Sequence, residues 1–210
     1  MSPDRRKGRH QIVGDAEILD AALSAFAATG YDAMSVRHLN AQLGLSHETV
    51  RQRFGSKLEL YFSAVDFGVA RFSLLAEERA RLPVASSDLE ELRALTHSFI
   101  TASMRRPELA NLVNHDATTT NERLDYIFRV GFAPGTEIFA DLFHRLIAQG
   151  VIHEVTVREY FFLIDAGMSP FAQGGLSRAF DPISGPLNED AHVERFVDFV
   201  FRGLTRSSTH

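Results

Sequence analysis

An all-α fold, with a small helix-turn-helix head joined to a larger helical bundle, follows from three observations on the 210-residue sequence. Apolar residues recur at intervals of three and four in segment after segment, and no stretch keeps the alternation of a half-buried strand. Serine, threonine or asparagine precedes most of these segments and glycine or proline follows, which is how helices are bounded. Near the N-terminus, two short segments are joined by a tight turn around Gly44, the signature of a helix-turn-helix.

Residues 1–11 carry Arg5, Arg6, Lys7 and Arg9 without apolar periodicity, and read as a flexible basic arm. On DNA such an arm can follow the phosphates or enter the minor groove. The head spans 12–56. Its first helix has the stripe Ile18, Leu19, Ala22, Leu23 and Phe26 and ends at Gly30. Val36, Leu39 and Leu43 make the second, capped by Ser35 and stopped by Gly44, where a left-handed backbone costs glycine nothing. Ser46 is expected to cap the third, with Val50 and Phe54 inward and His47, Glu48, Thr49, Arg51, Gln52 and Arg53 outward. A helix of this kind fits the major groove, where donors and acceptors distinguish all four base pairs. Gln52 and the arginines can donate to bases or phosphates, Thr49 can meet a thymine methyl, and Glu48 can accept from a cytosine amino group. Ser35, Val36, Arg37 and Lys57 complete the candidate DNA surface, on the helix that crosses the backbone and at the start of the next one.

The body spans 57–210. Ser56 and Glu59 form a capping box for a long helix from Lys57 to about Arg81, ended by Pro83, the mechanical link out of the head. Ser87 with Glu90 opens a helix to Arg105, and Pro107 a short one to about His115. Thr119 with Glu122 caps another, expected to break between Gly131 and Gly135 at Pro134 and to resume over 136–149. Thr156 with Glu159 caps a helix to Gln173, closed by Gly174 and Gly175. A loop follows around Pro182, Gly185 and Pro186, and Asn188 caps the last helix, to about Leu204.

Two of these helices are apolar on more than one face, through Phe161, Ile164, Met168 and Phe171, and through Val193, Phe196, Val197, Val200, Phe201 and Leu204. Such helices are covered on two sides. They either fill the chain's own core or pair across a two-fold axis as a homodimer interface. The seventeen phenylalanines, with no tryptophan, pose a similar choice. Phe99, Phe128, Phe132, Phe139, Phe143 and Phe162 either pack the bundle or line a largely apolar effector site with Asn114, His115 and Asp165 as polar anchors.

Composition narrows the function. The absence of cysteine excludes disulfides and thiolate zinc sites and suits a reducing cytoplasm. No apolar run approaches the ~20 residues that span a bilayer, and the N-terminus lacks a signal-peptide core. The net charge of −5 divides unevenly: residues 1–57 hold eight basic side chains against six acidic ones, so the rest carries −7, a basic head on an acidic body. Phosphate-binding loops, dinucleotide fingerprints, nucleophile elbows and paired zinc histidines are all missing, so no enzyme, cofactor or metal is expected.

The blocks Ile-Leu-x-Ala-Ala-Leu-x-x-Phe from Ile18, Gly30-Tyr31, Gly44-Leu45-Ser46 and Phe54-Gly55-Ser56-Lys57-x-x-Leu60 resemble, in that order and spacing, the N-terminal domain of TetR-type transcriptional regulators. The resemblance runs from about Ile18 to Tyr61. It implies a homodimer joined through its last two helices, gripping a palindromic duplex operator, most often as a repressor released by a small, largely apolar effector. It also implies that the effector moves the helix beginning at Lys57 and so changes the spacing of the two heads. This chain departs from the family at Arg51, where a tyrosine is usual, at Arg53, often aromatic or histidine, and at Glu48, usually small. The family residues at 51 and 53 lie against phosphates, and Arg51 can keep that contact or read a base; Glu48 implies an operator of its own. The alternatives are an effector-independent DNA-binding regulator, and a helical small-molecule carrier or enzyme.

Overall fold

The computed structural model describes residues 13–80, 85–117 and 120–206, with side chains except at 74–80. The expected contacts of Arg5, Arg6, Lys7 and Arg9 and the stop at Pro83 lie outside these residues. Helices α1 (Asp15–Ala33), α2 (Val36–Gln42) and α3 (Thr49–Phe54) form the head. Gly30 (φ 76°, ψ 166°), expected to end α1, kinks it instead, and helical turns resume beyond it as far as Ala33. The Ser35 side chain accepts the His38 amide at the start of α2, and Gly44 is left-handed (φ 67°) at its end.

Helix α4 (Lys57–Ala80) is opened by the expected box. The Ser56 amide donates to the Glu59 carboxylate (2.7 Å) and the Glu59 amide to the Ser56 hydroxyl (3.2 Å). These bonds to the ionised form hold the Glu59 carboxyl below the usual carboxylate range. Gly55 (φ 78°) is required on two counts, since a Cβ there would also lie 2.4 Å from a Glu59 oxygen.

The body contains α5 (Asp88–Arg105), α6 (Glu108–Asp116), α7 (Glu122–Ile127), α8 (Ala133–Ala148), α9 (Val157–Ala172), α10 (Gly174–Ala179), α11 (Asp181–Ser184) and α12 (Glu189–Leu204). Three expectations are corrected here. Asn121 caps α7, its side-chain oxygen accepting the Arg123 and Leu124 amides. The break expected at Pro134 is absent: a π-helical turn, Phe128–Phe132, runs α7 straight into α8, and Pro134 sits in the first turn of α8, where a missing N–H is harmless. The segment expected as a loop after Gly174 and Gly175 folds into α10 and α11, with Pro182 in the first turn of α11. No strand occurs among the described residues; a lone antiparallel bridge, Ile152 to Thr205, ties the end of α12 to the turn after α8.

The described residues form two hydrophobic cores, and the first draws on residues from both sides of position 57. The first holds Ile18, Ala22, Phe26, Leu39, Val50, Leu60, Tyr61 and Val65 together with Leu112 of α6 and Ile127 of α7. The head therefore shares its interior with the first part of the body, where α6 lies along α1.

The second core settles which faces of α9 and α12 point inward. Ile164, Met168, Val193, Val197, Val200, Phe201 and Leu204, expected to meet a second copy, are buried in the chain's own interior with Leu92, Ile100, Leu142 and Tyr160. Phe161, Phe171 and Phe196 are half-buried. The apolar residues that α9 and α12 leave to solvent are on their other faces: Phe162, Leu163 and Phe199. Within the chain, α9 and α12 touch at Gly167, whose carbonyl accepts from His192 Nε2 (3.0 Å). A Cβ on Gly167 would lie 2.2 Å from the Phe196 ring. Gly167→Ala is therefore expected to push the helices apart and cost about 1–3 kcal/mol, as overpacking does, seen as a lower urea midpoint with the slope unchanged.

Candidate nucleic-acid interface

The reading helix is held by a residue whose role the sequence did not disclose. Asn40, fully buried at the end of α2, donates from Nδ2 to the carbonyls of Val36 (3.1 Å) and His47 (3.0 Å). Its Oδ1 accepts the Val50 amide (3.2 Å). One amide thus joins α2, the turn and α3, and satisfies backbone groups that burial would otherwise leave without partners. Its only sequence signal is a polar residue beside the apolar Leu39, with a side chain able to donate and accept at once.

Around this rivet the outward face is arranged much as its spacing predicts. Arg37, His47, Glu48, Arg51 and Gln52 are exposed, and their side chains make no hydrogen bond or ion pair with any described residue. Val36 is half-buried and Ser35 exposed. The cap differs from expectation. Ser46 does not bond an α3 amide through its side chain; Glu48 stands at the N-cap, the Thr49 amide reaches the Ser46 carbonyl (3.1 Å), and the Ser46 and Thr49 hydroxyls meet at 2.7 Å. The chain makes one more turn before the helix begins, which displaces Ser46 from the cap.

Two expected phosphate ligands are engaged inside the head. Arg53 donates to the Val13 carbonyl (2.7 Å) and to Asp15 (3.2 Å), fastening α3 to the start of α1. Lys57 donates to the Asp32 carbonyl (3.2 Å) and sits 4.7 Å over the Tyr31 ring. Among the described residues, the free cations of the face are Arg37 and Arg51.

Beneath the head lies a clasp to the body. Asp116, 5% exposed at the end of α6, accepts the Tyr61 hydroxyl of α4 (2.9 Å) and the Arg123 guanidinium of α7 (2.6 and 3.0 Å). Arg123 lies 4.4 Å over the Tyr31 ring, which packs with Phe26 and Tyr61. Burial first, and then the neighbouring Asp116 carboxylate, push the Tyr61 hydroxyl well above the ordinary tyrosine range, so it stays a proton donor. His115 belongs to this junction. Its Nε2 donates to the Ala27 carbonyl (3.1 Å), and its ring lies against Gly30, which the kink there leaves open.

The residues expected to line an effector site divide. Phe99, Phe132 and Phe161 form a ring contact chain (6.5 and 5.3 Å between centroids), extended to Phe72 of α4 and to Phe128 of the π turn. Phe139 and Phe143 do not join it; they pack on Tyr160 in the second core. Asn114 is exposed, His115 serves the head junction, and Phe162 points outward from α9. Asp165, four residues after Phe161 on α9, is half-buried. The sequence did not foresee an open groove of about 620 Å³ between the ends of α9 and α12, with α10 and α11 as its floor; it exists because those short helices exist.

Residues 18–64 match the model of the bacterial regulatory proteins of the tetR family. The solved structures similar to the whole chain include three transcriptional regulators. A TetR family regulator of Thermus thermophilus, PfmR, is 24% identical, with 90% of this chain and 99% of that one aligned and a TM-score of 0.61. A TetR family regulator of Marinobacter aquaeolei is 19% identical over 90% and 94%, at 0.62. The ketosteroid transcriptional regulator KstR2 of Mycobacterium tuberculosis is 17% identical over 94% and 98%, at 0.63. A comparison with curated proteins returns no match. No helix among the described residues is long and apolar enough to cross a membrane.

Proposed function

We propose that the chain, whose residues 18–64 match the model of the bacterial regulatory proteins of the tetR family, works in the cytoplasm as a homodimeric repressor, not an enzyme, on a palindromic operator, and is released by a small, largely apolar effector. The observation that carries this is the face of α3: a rigidly riveted helix presenting Arg51, Gln52, His47 and Glu48 with no partner in the described fold. Side chains held out unpaired on a fixed frame suit a ligand that supplies their partners, and base edges in the major groove do.

Dimerisation is supported by the outer faces of α9 and α12. Phe162 is 64% and Phe199 72% exposed, and Leu163 is exposed too, large apolar side chains of the kind that an interface covers. Two copies related by a two-fold axis through that face present their α3 helices to successive major grooves, about 34 Å apart. The interface proposed here is therefore the opposite side of α9 and α12 from the stripes that their apolar spacing first suggests.

Release by effector is a matter of populations. A ligand that shifts the dimer from 1:99 to 99:1 in favour of its DNA-incompetent form must prefer that form by about 5.5 kcal/mol. Operator and effector then weaken each other reciprocally. The proposed route runs from the phenyl chain through the π turn into α7, and by Arg123 and Asp116 to α4 and the head.

The test is quantitative mobility shift on the chain's own upstream DNA, with Gln52→Ala as the probe. On operator DNA this variant is expected to lose about 1–3 kcal/mol per base contact, and on random DNA nothing. Equal losses on both would remove Gln52 from the reading set. Failure of the native chain to shift either DNA at low salt would defeat the proposal as a whole. A second reading, a regulator without effector, is favoured by one observation: Phe143 is buried in the second core and Phe139 packs against it, so both serve the chain's own packing.

A further inference from the structure

On α9, Asp165 follows Phe161 by four residues, so the two side chains share a face of the helix. Phe161 is the hub of the phenyl chain, 6.5 Å from Phe99, 5.3 Å from Phe132 and 5.6 Å from Phe162. The chain opens to solvent at Phe128, which is more than half exposed, so a molecule can reach it. Its wall includes the π turn, a helical irregularity that recurs at functional sites.

Asp165 differs from other carboxylates of the body. Glu159 of the same helix is spent on capping, Asp116 is tied to Arg123 and Tyr61, and Asp198 pairs with Arg93. Asp165 is half-buried, yet it makes no hydrogen bond or ion pair with any described residue. Burial alone pushes its carboxyl above the usual carboxylate range. Folding has no use for such a group, since partial desolvation of a charge without a partner is unfavourable. Among the described residues no arginine or lysine pairs with it, and a cation is the partner that suits an ionised carboxylate. Phenyl faces also attract cations, so the same kind of molecule satisfies both features.

We propose that the phenyl chain and Asp165 form a site for an amphiphilic organic cation, an ammonium group carried on an apolar skeleton. The ammonium is held by Asp165, and the skeleton lies along Phe161, Phe99 and Phe132. This names the chemical class of effector and rests on the reading of the body as an effector domain.

The experiment is calorimetric titration of the full-length protein with phenylbutylamine, phenylbutanol and phenylbutyrate, which share one skeleton and differ in the charge of the head group. The amine is expected to bind about tenfold more tightly than the alcohol, a difference of ~1.4 kcal/mol, and the acid more weakly than either. Asp165→Asn, nearly isosteric, is expected to bring the amine down to the level of the alcohol and to leave the alcohol unchanged. Phe132→Leu is expected to weaken amine and alcohol together. Equal binding of amine and alcohol to the native protein, or a preference for the amine that survives Asp165→Asn, would overturn the cation assignment while leaving an apolar effector site in place. If none of the probes binds to protein that still shifts its operator, the site itself is overturned and the effector-independent reading gains. Unchanged melting temperatures of both variants keep these outcomes separate from misfolding.

Discussion

Asn40→Ala is expected to abolish operator binding while leaving the second core folded. The substitution removes every bond that the Asn40 side chain makes between α2, the turn and α3, and leaves the buried Val50 amide and the part-buried His47 carbonyl without that partner. Each stranded group costs about 1–3 kcal/mol, so the head is expected to lose about 2–4 kcal/mol in all. Few domains have more than 5–15 kcal/mol of stability to begin with, and a head this small loses much of its share. Even where α3 survives, its angle to α2 is no longer set, and operator affinity is expected to fall on the order of a hundredfold or more, the equivalent of ~2.7 kcal/mol. Asn40→Asp separates the contributions. The carboxylate still accepts from Val50 but, when ionised, donates nothing to Val36 or His47. It is expected to fall between the native protein and Asn40→Ala in both melting and mobility-shift measurements. Native affinity in Asn40→Ala would show that α3 is positioned by its apolar contacts alone.

The second large effect belongs to the clasp under the head. Arg123→Ala leaves the Asp116 carboxylate buried without its guanidinium, the charge that balances it. Breaking a buried ion pair from one side costs about 3–5 kcal/mol, most of it the cost of the stranded charge. Asp116→Leu together with Arg123→Met is expected to recover much of that loss, because no charge is left behind. Recovery of stability is not expected to restore control. Both variants cut the link between α7 and α4, so hydrogen exchange is expected to quicken over α1–α3 and to stay unchanged in α12, in either background. Exchange that rises equally in head and α12 would make the pair a plain element of global stability and remove it from the route between effector and DNA.

Much of this architecture is legible in the sequence, because its signals are local. Ser35 and the Ser56–Glu59 and Thr156–Glu159 pairs are read from residue types three positions apart, and Gly30, Gly44 and Gly55 from a backbone geometry that side chains resist. Where the sequence misleads, the deciding contacts are long-range. Arg53 reads as a free outward side chain, and its contact with Val13, forty residues away, exists only once the chain folds. Helix α9 is apolar nearly all round, so spacing says that it is covered twice without saying which side the chain itself covers. Only packing against α5, α8 and α12 assigns Ile164 and Met168 inward and Phe162 outward. The π turn escapes a reading of residue types because Pro134 is a reliable breaker in mid-helix and harmless in a first turn, and a small change of register separates the two. Among the candidate site residues, the α3 face keeps its expected exposure, whereas the effector candidates separate into a ring chain, a closed core and a head junction.

Nuclease footprinting of the upstream DNA with the purified full-length chain is the decisive measurement. Two protected half-sites are expected in inverted orientation, centred about 34 Å apart along the duplex, and they disappear together as salt is raised. Protection of a single unrepeated patch, or none at concentrations where the protein is dimeric, would contradict a paired grip on DNA.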